Sequence, residues 1–224
     1  MKKFSENILA GVVFLVLLSL FMIGGCDIDF SSNNSGGGSN GGNNTSNTET
    51  TQGTIVSIIP LENIGGITVQ IKEESSNKIF SDTTNDSGFY SISGQYALTP
   101  EMEFINGEST SLGRIFINVI PGSELDLGNI RLENGVVIFE NDADITFEGD
   151  MIVNNCTDNA GSIEVEAEND EITAEIIVQI SPSTDIVRNG DDISCQNILV
   201  GQTVEVRGLL LTGNTVDAFR IEVL

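Results

Sequence analysis

Chemistry in this chain has to be built almost wholly from carboxylates. It carries 33 Asp and Glu against 9 Lys and Arg, with no His and no Trp, for a formal net charge of −24 over 224 residues. Without His there is no Ser–His–Asp triad, no Cys–His pair and no imidazole ligand for a metal. The most regular acidic group is Glu164, Glu166 and Glu168, followed by Asp170 and Glu171. On an extended strand the first three share one face, about 7 Å between neighbours. Such a row offers oxygen ligands to Ca²⁺, or serves as a solvated face that keeps an edge strand from pairing. No D-x-[DN]-x-[DN]-G loop is present, which favours the solvated face. Paired carboxylates also do acid–base work in glycosidases, but nothing in the sequence places a pair in an apolar pocket. Gly36, Gly38 and Gly41 match G-x-G-x-x-G, and residues 37–41 match G-x-S-x-G. Both motifs need a strand before and a helix after, and neither flank is present. The sequence therefore assigns no catalytic residue, no cofactor and no metal site.

The chain opens with Lys2 and Lys3, then an apolar run from Ile8 to Ile23. That order is a secretory signal. It ends Ile23-Gly24-Gly25-Cys26, an aliphatic residue, two small residues and a cysteine, which resembles the lipobox of bacterial lipoproteins. The resemblance implies that Cys26 is lipidated and becomes the first mature residue, with 1–25 as the signal peptide. The competing reading is an uncleaved span, since the run approaches the ~20 residues a membrane crossing needs. With Cys26 taken by lipid, Cys156 and Cys195 remain as a pair. Beyond the cytoplasmic membrane an even remainder implies a disulfide. A redox couple is disfavoured: the spacing is not C-x-x-C, and Asp158, Asp191 and Asp192 would raise a nearby thiol pKa.

Residues 31–48 are all Ser, Asn, Gly or Thr. With no apolar side chain to bury, residues 26–52 read as a lipidated Cys and flexible tether, spanning about 25–30 Å on average. From Gly53 the pattern changes to alternation, as in Ile67/Val69/Ile71, Tyr90/Ile92, Ile115/Ile117/Val119, Ile163/Val165/Ala167, Ile172 to Ile180, Val204/Val206 and Phe219/Ile221/Val223. Period two means half-buried strands, and turn-forming clusters separate them. The hydrophobic fraction of 39% suits a folded core rather than an acidic tail. The fold class is all-β.

Two segments resemble known modules. In residues 53–140, the strand Gly66–Ile71, the run Thr84-Asn85-Asp86-Ser87-Gly88-Phe89-Tyr90 and the strand Leu125–Leu132 are similar to the carboxypeptidase regulatory-like domain. That resemblance implies a transthyretin-like β-sandwich, non-catalytic, used for spacing or docking. Asp86 is expected to bond its own turn backbone and Tyr90 to point into the sandwich. The stretch Ala97–Leu112 departs from the pattern and reads as loose and acidic. In residues 141–224, the runs Asp144–Gly149, Ile180–Ile186, Leu199–Gly208 and Thr215–Val223 resemble a bacterial lipoprotein domain of unknown function, which implies a small OB-like β-barrel. Gly201 and Gly208 are expected to bracket one of its strands.

Such a barrel raises nucleic acid as a ligand. Residues 141–224 hold three arginines against 17 acids, which opposes a phosphate groove, so no nucleic-acid partner is expected. The sequence instead points to a non-enzymatic, extracytoplasmic protein, lipid-anchored to a bacterial membrane facing the periplasm or cell surface. It would serve as a binding or structural module for an envelope protein partner. Exposed edge strands could pair with another chain. The rival is a carbohydrate-binding lipoprotein, against which stands the scarcity of aromatic platforms: no Trp and 2 Tyr.

Overall fold

The computed structural model describes residues 48–60, 63–73, 77–96, 98–170 and 172–224. Cys26, the leader, the expected tether up to residue 47 and Glu171 lie outside them. The described residues fall in one compact unit, and the architecture is all-β.

The first half is a sandwich. One layer holds β1 (Glu49–Ile59), β4 (Phe89–Gly94), β7 (Glu124–Glu133) and β8 (Val136–Phe139), with β1 antiparallel to β4 and parallel to β7. The other layer is antiparallel: β2 (Thr68–Lys72), β3 (Ile79–Thr83), β5 (Glu101–Ile105) and β6 (Ser111–Phe116), in the order β3-β2-β5-β6. Alternate residues from both layers meet between them. Ile55, Val69, Ile71, Tyr90, Met102, Phe104 and Ile130 are fully buried there. Tyr90 and Phe104 face each other edge-on across the layers, ring centroids 6.2 Å apart. Each large apolar side chain so removed from water contributes roughly 1.5–3 kcal/mol.

The second half is a closed barrel of β9 (Asp144–Asn154), β10 (Gly161–Glu168), β11 (Thr173–Arg188), β13 (Thr203–Leu210) and β14 (Thr215–Val223). The strand order is β10-β11-β14-β13-β9, and β9 pairs back to β10. Only β11 and β14 are parallel. This is the Greek-key closure of an OB-type barrel. A two-residue strand, β12 (Asp191–Asp192), folds back on β11 through Asn189-Gly190, both at positive φ as a type I′ hairpin requires. Barrel curvature needs close backbone approach, and two glycines permit it. A Cβ on Gly149 would lie 2.4 Å from the Glu166 carbonyl oxygen, and one on Gly208 would lie 2.4 Å from that of Asp217.

Five expectations change. Glu49–Gln52 open β1 instead of belonging to the expected tether. The segment lacks apolar alternation, but Thr50 and Thr51 are β-branched and fit between β4 and β7. The stretch 97–112, expected to be loose, contains β5. Its Glu-Met-Glu-Phe alternation buries Met102 and Phe104 and exposes the acids more. Gly208 lies inside β13 rather than at its end. Phe219 does not share the inward face of Ile221 and Val223: β14 bulges there, between pairings of Ala218 and Arg220 with β13, and the ring turns outward. In the 85–88 turn it is Asn85, not Asp86, that supplies the acceptor, its Oδ1 taking the N–H groups of Ser87 and Phe89.

The two halves share a sheet. Past the expected boundary at 140/141, β9 pairs with β7 over Asp126↔Asp144 to Glu124↔Thr146. A buried carboxylate reinforces that seam. Glu49 is inaccessible to solvent, and it accepts from the Tyr96 N–H (3.2 Å), the Gly122 N–H (3.1 Å) and the Asn169 side-chain amide of the barrel. Removing an acceptor from buried donors costs about 1–3 kcal/mol apiece. Glu49→Ala is therefore expected to lower unfolding stability by about 3 kcal/mol. Glu49→Gln should lose less, since its amide oxygen still accepts. Urea unfolding read by circular dichroism checks both; a neutral alanine variant would contradict the seam.

Candidate functional site

A concavity lies where sandwich and barrel meet. It is built by chain connectivity. β6 ends at Phe116, the last residue of its ladder with β5. β7 passes beneath, and a bulge at 127–128 interrupts its pairing with β1. Asp126 holds the bulge: its Oδ1 accepts the Gly128 N–H at 2.8 Å and its Oδ2 accepts the Gln52 amide at 3.1 Å. The crossover 140–143 then carries the chain into the barrel. It is pinned on one side by Glu140 N–H to the Asn129 carbonyl (2.9 Å) and on the other by Leu210 N–H to the Ala143 carbonyl (2.9 Å).

The result is a cleft of about 890 Å³. Its apolar surface includes Phe116, 60% exposed, and Leu211, 44% exposed. Its rim carries Glu140, Asp142 and Asp144, all exposed, and no Lys or Arg lines it. The lining holds no Ser, Thr, Cys, Lys or Tyr either. What such a surface can do is bind: an apolar seat beside uncompensated negative charge. Sequence reasoning missed it because Phe116 sat in the polar half of an alternating strand, and because the crossover acids looked like any linker.

The disulfide pair comes together. Cys156 and Cys195 are bonded, their Cα atoms 6.0 Å apart. Cys195 is fully buried on a 3₁₀ turn, Cys195–Asn197. Asn154 braces the pair: its Nδ2 donates to the carbonyls of Cys195 (3.0 Å) and Ile198 (2.8 Å), and its Oδ1 accepts the Cys156 N–H (2.9 Å). The signal was present, an Asn two residues before a Cys in a turn-rich stretch. Cys26 lies outside the described residues.

The acidic row behaves as a solvated face, with one correction. Glu166 and Glu168 are exposed and Glu164 is half-buried, but β10 is no edge, since β9 and β11 flank it. Among the described residues no group of three His, Cys, Asp or Glu is placed to hold a metal. Instead Glu166 stands directly opposite Glu175 on one neighbour and Asp150 on the other. Both tyrosines are core residues. Burial pushes the Tyr90 and Tyr96 phenols well above their usual range, reinforced by the charge of Asp126 and Glu49 respectively. The exposed aromatics are phenylalanines, Phe116 and Phe219 foremost.

No family model matches the chain, and no curated protein does. Among solved structures, one match is a Bacteroides uniformis protein described as a "putative carbohydrate binding protein". It is 14% identical, covers 79% of this chain and 98% of its own, and has a TM-score of 0.25. The functional reading rests on this chain's own geometry.

Two outcomes follow. Cys195→Ser opens a loop between positions 39 residues apart and should cost about 4 kcal/mol in the chain-entropy account. Thermal melts measure the loss, and non-reducing peptide mapping should show the 156–195 pair. Glu175→Lys turns a like-charge facing into an opposite-charge one, and is expected to stabilise by roughly 0.5 kcal/mol. The gain should fade in about 1 M salt, where the Debye length falls to ~3 Å; a gain that persists there would mean the effect is not electrostatic.

Proposed function

We propose that this chain is a non-enzymatic lipoprotein of the bacterial envelope, held to the membrane through Cys26 and presenting its β-unit to a protein partner. The observation that carries the binding role is the junction cleft, an apolar seat with an acidic rim set between two halves that share one sheet. A shared sheet and the Glu49 contacts keep the two walls in register, so the cleft is preformed. Preformed concavity lowers the ordering cost of binding.

The anchoring part rests on Ile23-Gly24-Gly25-Cys26. Among the described residues no helix is long and apolar enough to cross a membrane. Two acyl chains anchor stably where one binds only marginally. The sandwich resembles a carboxypeptidase regulatory-like module, which agrees with docking rather than catalysis.

Crosslinking from intact cells, followed by pull-down, tests the role. Recovery of one envelope protein, lost in a Phe116→Ala variant, is the expected result. Retention on polysaccharide with no protein captured would replace it by the carbohydrate reading, for which the exposed Phe116 ring supplies a stacking platform. Mass spectrometry of the mature N-terminus is expected to find diacylglycerol on Cys26; an intact Met1 would sink the anchor.

A further inference from the structure

We infer that the occupant of the junction cleft is an extended basic segment of the partner, with an apolar side chain seated on Phe116 and Leu211 and lysine or arginine groups beside Glu140, Asp142 and Asp144. The inference deepens the protein-binding reading above and rests on it.

Three observations select this chemistry. The seat is apolar and open: Phe116 and Leu211 keep about half their surface in water, and an exposed aromatic in a concavity is the usual anchor of an interface. The rim charge is uncompensated. Elsewhere this acidic chain pairs its arginines with neighbouring acids, as in Arg114 with Glu101 and Glu103, Arg207 with Glu205, and Arg220 with Asp185 and Glu222. The rim's three carboxylates have no such cation among the described residues. A cationic partner gains both steering and complementarity there. Last, the cleft floor is a gap in strand pairing. The outer edge of β7 pairs with β9 over 124–126 and with β8 over 130–133, and the Glu140 N–H takes the Asn129 carbonyl, so the stretch left open on that side is 127–128. A backbone laid along a strand edge is how extended peptides dock on sheets. A neutral sugar has no use for three charges and a cation alone has none for the apolar seat.

The test titrates the full mature lipoprotein in detergent micelles with a short synthetic peptide alternating lysine and leucine, by calorimetry at about 0.15 M salt. One variant neutralises the rim, Glu140→Gln with Asp142→Asn and Asp144→Asn. A second removes the same charge from the barrel face, Glu164→Gln with Glu166→Gln and Glu175→Gln. A third is Phe116→Ala. Melting curves verify that each is folded. Rim neutralisation and Phe116→Ala should each weaken binding about tenfold, and the barrel variant less than about twofold. Equal loss in both charge variants would assign binding to the overall field of the chain and overturn the cleft as its seat. No binding by the wild type, or binding of a neutral xylan oligosaccharide that Phe116→Ala abolishes, would overturn the basic occupant. A partner recovered from cells with crosslinks mapping away from the cleft would overturn this inference and leave the protein-binding reading standing.

Discussion

A β-strand has two edges, and both halves of this molecule compete for those of β7. One edge is taken by β1, in parallel. The other is divided, β9 holding its first residues and β8 its last. The sandwich, the barrel and the crossover between them are all positioned by how that edge is shared. The open stretch at 127–128 follows from the same division: between β8 and β9, which both run antiparallel to β7, the chain bends away at 140–143. The cleft is thus a product of topology, and the side chains around it decide only what it accepts.

Closing the barrel solves a different problem. A five-stranded sheet of about 80 residues has a small core, and an open one would leave edges able to recruit other chains. Here β10 returns to β9, and the acids on its outer face are not needed to guard an edge. They stand opposite other acids, at a small cost in stability, and contribute to a net charge that keeps molecules apart in solution. The disulfide and the Asn154 clamp hold the 3₁₀ turn against one end of that barrel. Surface ion pairs such as Arg207–Glu205 are each worth at most ~1 kcal/mol, less than the bridge contributes in the chain-entropy account.

Much of this was legible. Period-two alternation located the strands, because burial of one face imposes it directly: Ile163, Val165 and Ala167 are all inaccessible, as are Ile176 and Val178 nearly so. The bonding of Cys156 to Cys195 followed from counting. What failed failed for physical reasons. The opening of β1 is threonine-rich and buries Glu49, so hydrophobicity gave no sign of it. The alternation in β14 breaks at Phe219, and a bulge leaves no mark in composition. β5 was hidden by its glutamates, whose carboxylates are carried on the outer face; the pKa of Glu103 is lowered there, chiefly by a hydrogen bond from Ser111, with Gln70 and Arg114 adding to it. The cleft depends on segments far apart in sequence, Phe116, the 140–143 crossover and Leu211. No local pattern reports a meeting of that kind.

The first strand, β1, is an interior strand, flanked by β4 over Glu49–Thr54 and by β7 over Thr50–Ile59. Tension applied upstream of Glu49 therefore acts along the axis of a strand bonded on both sides. Its ladders are loaded in shear, many hydrogen bonds at once, rather than peeled one after another. The neighbour bonded to the longer stretch of β1 is β7, the same strand that floors the cleft. A force passed from a partner in the cleft to whatever holds the N-terminal segment would travel one strand spacing, about 4.8 Å, without crossing the barrel or the outer layer of the sandwich.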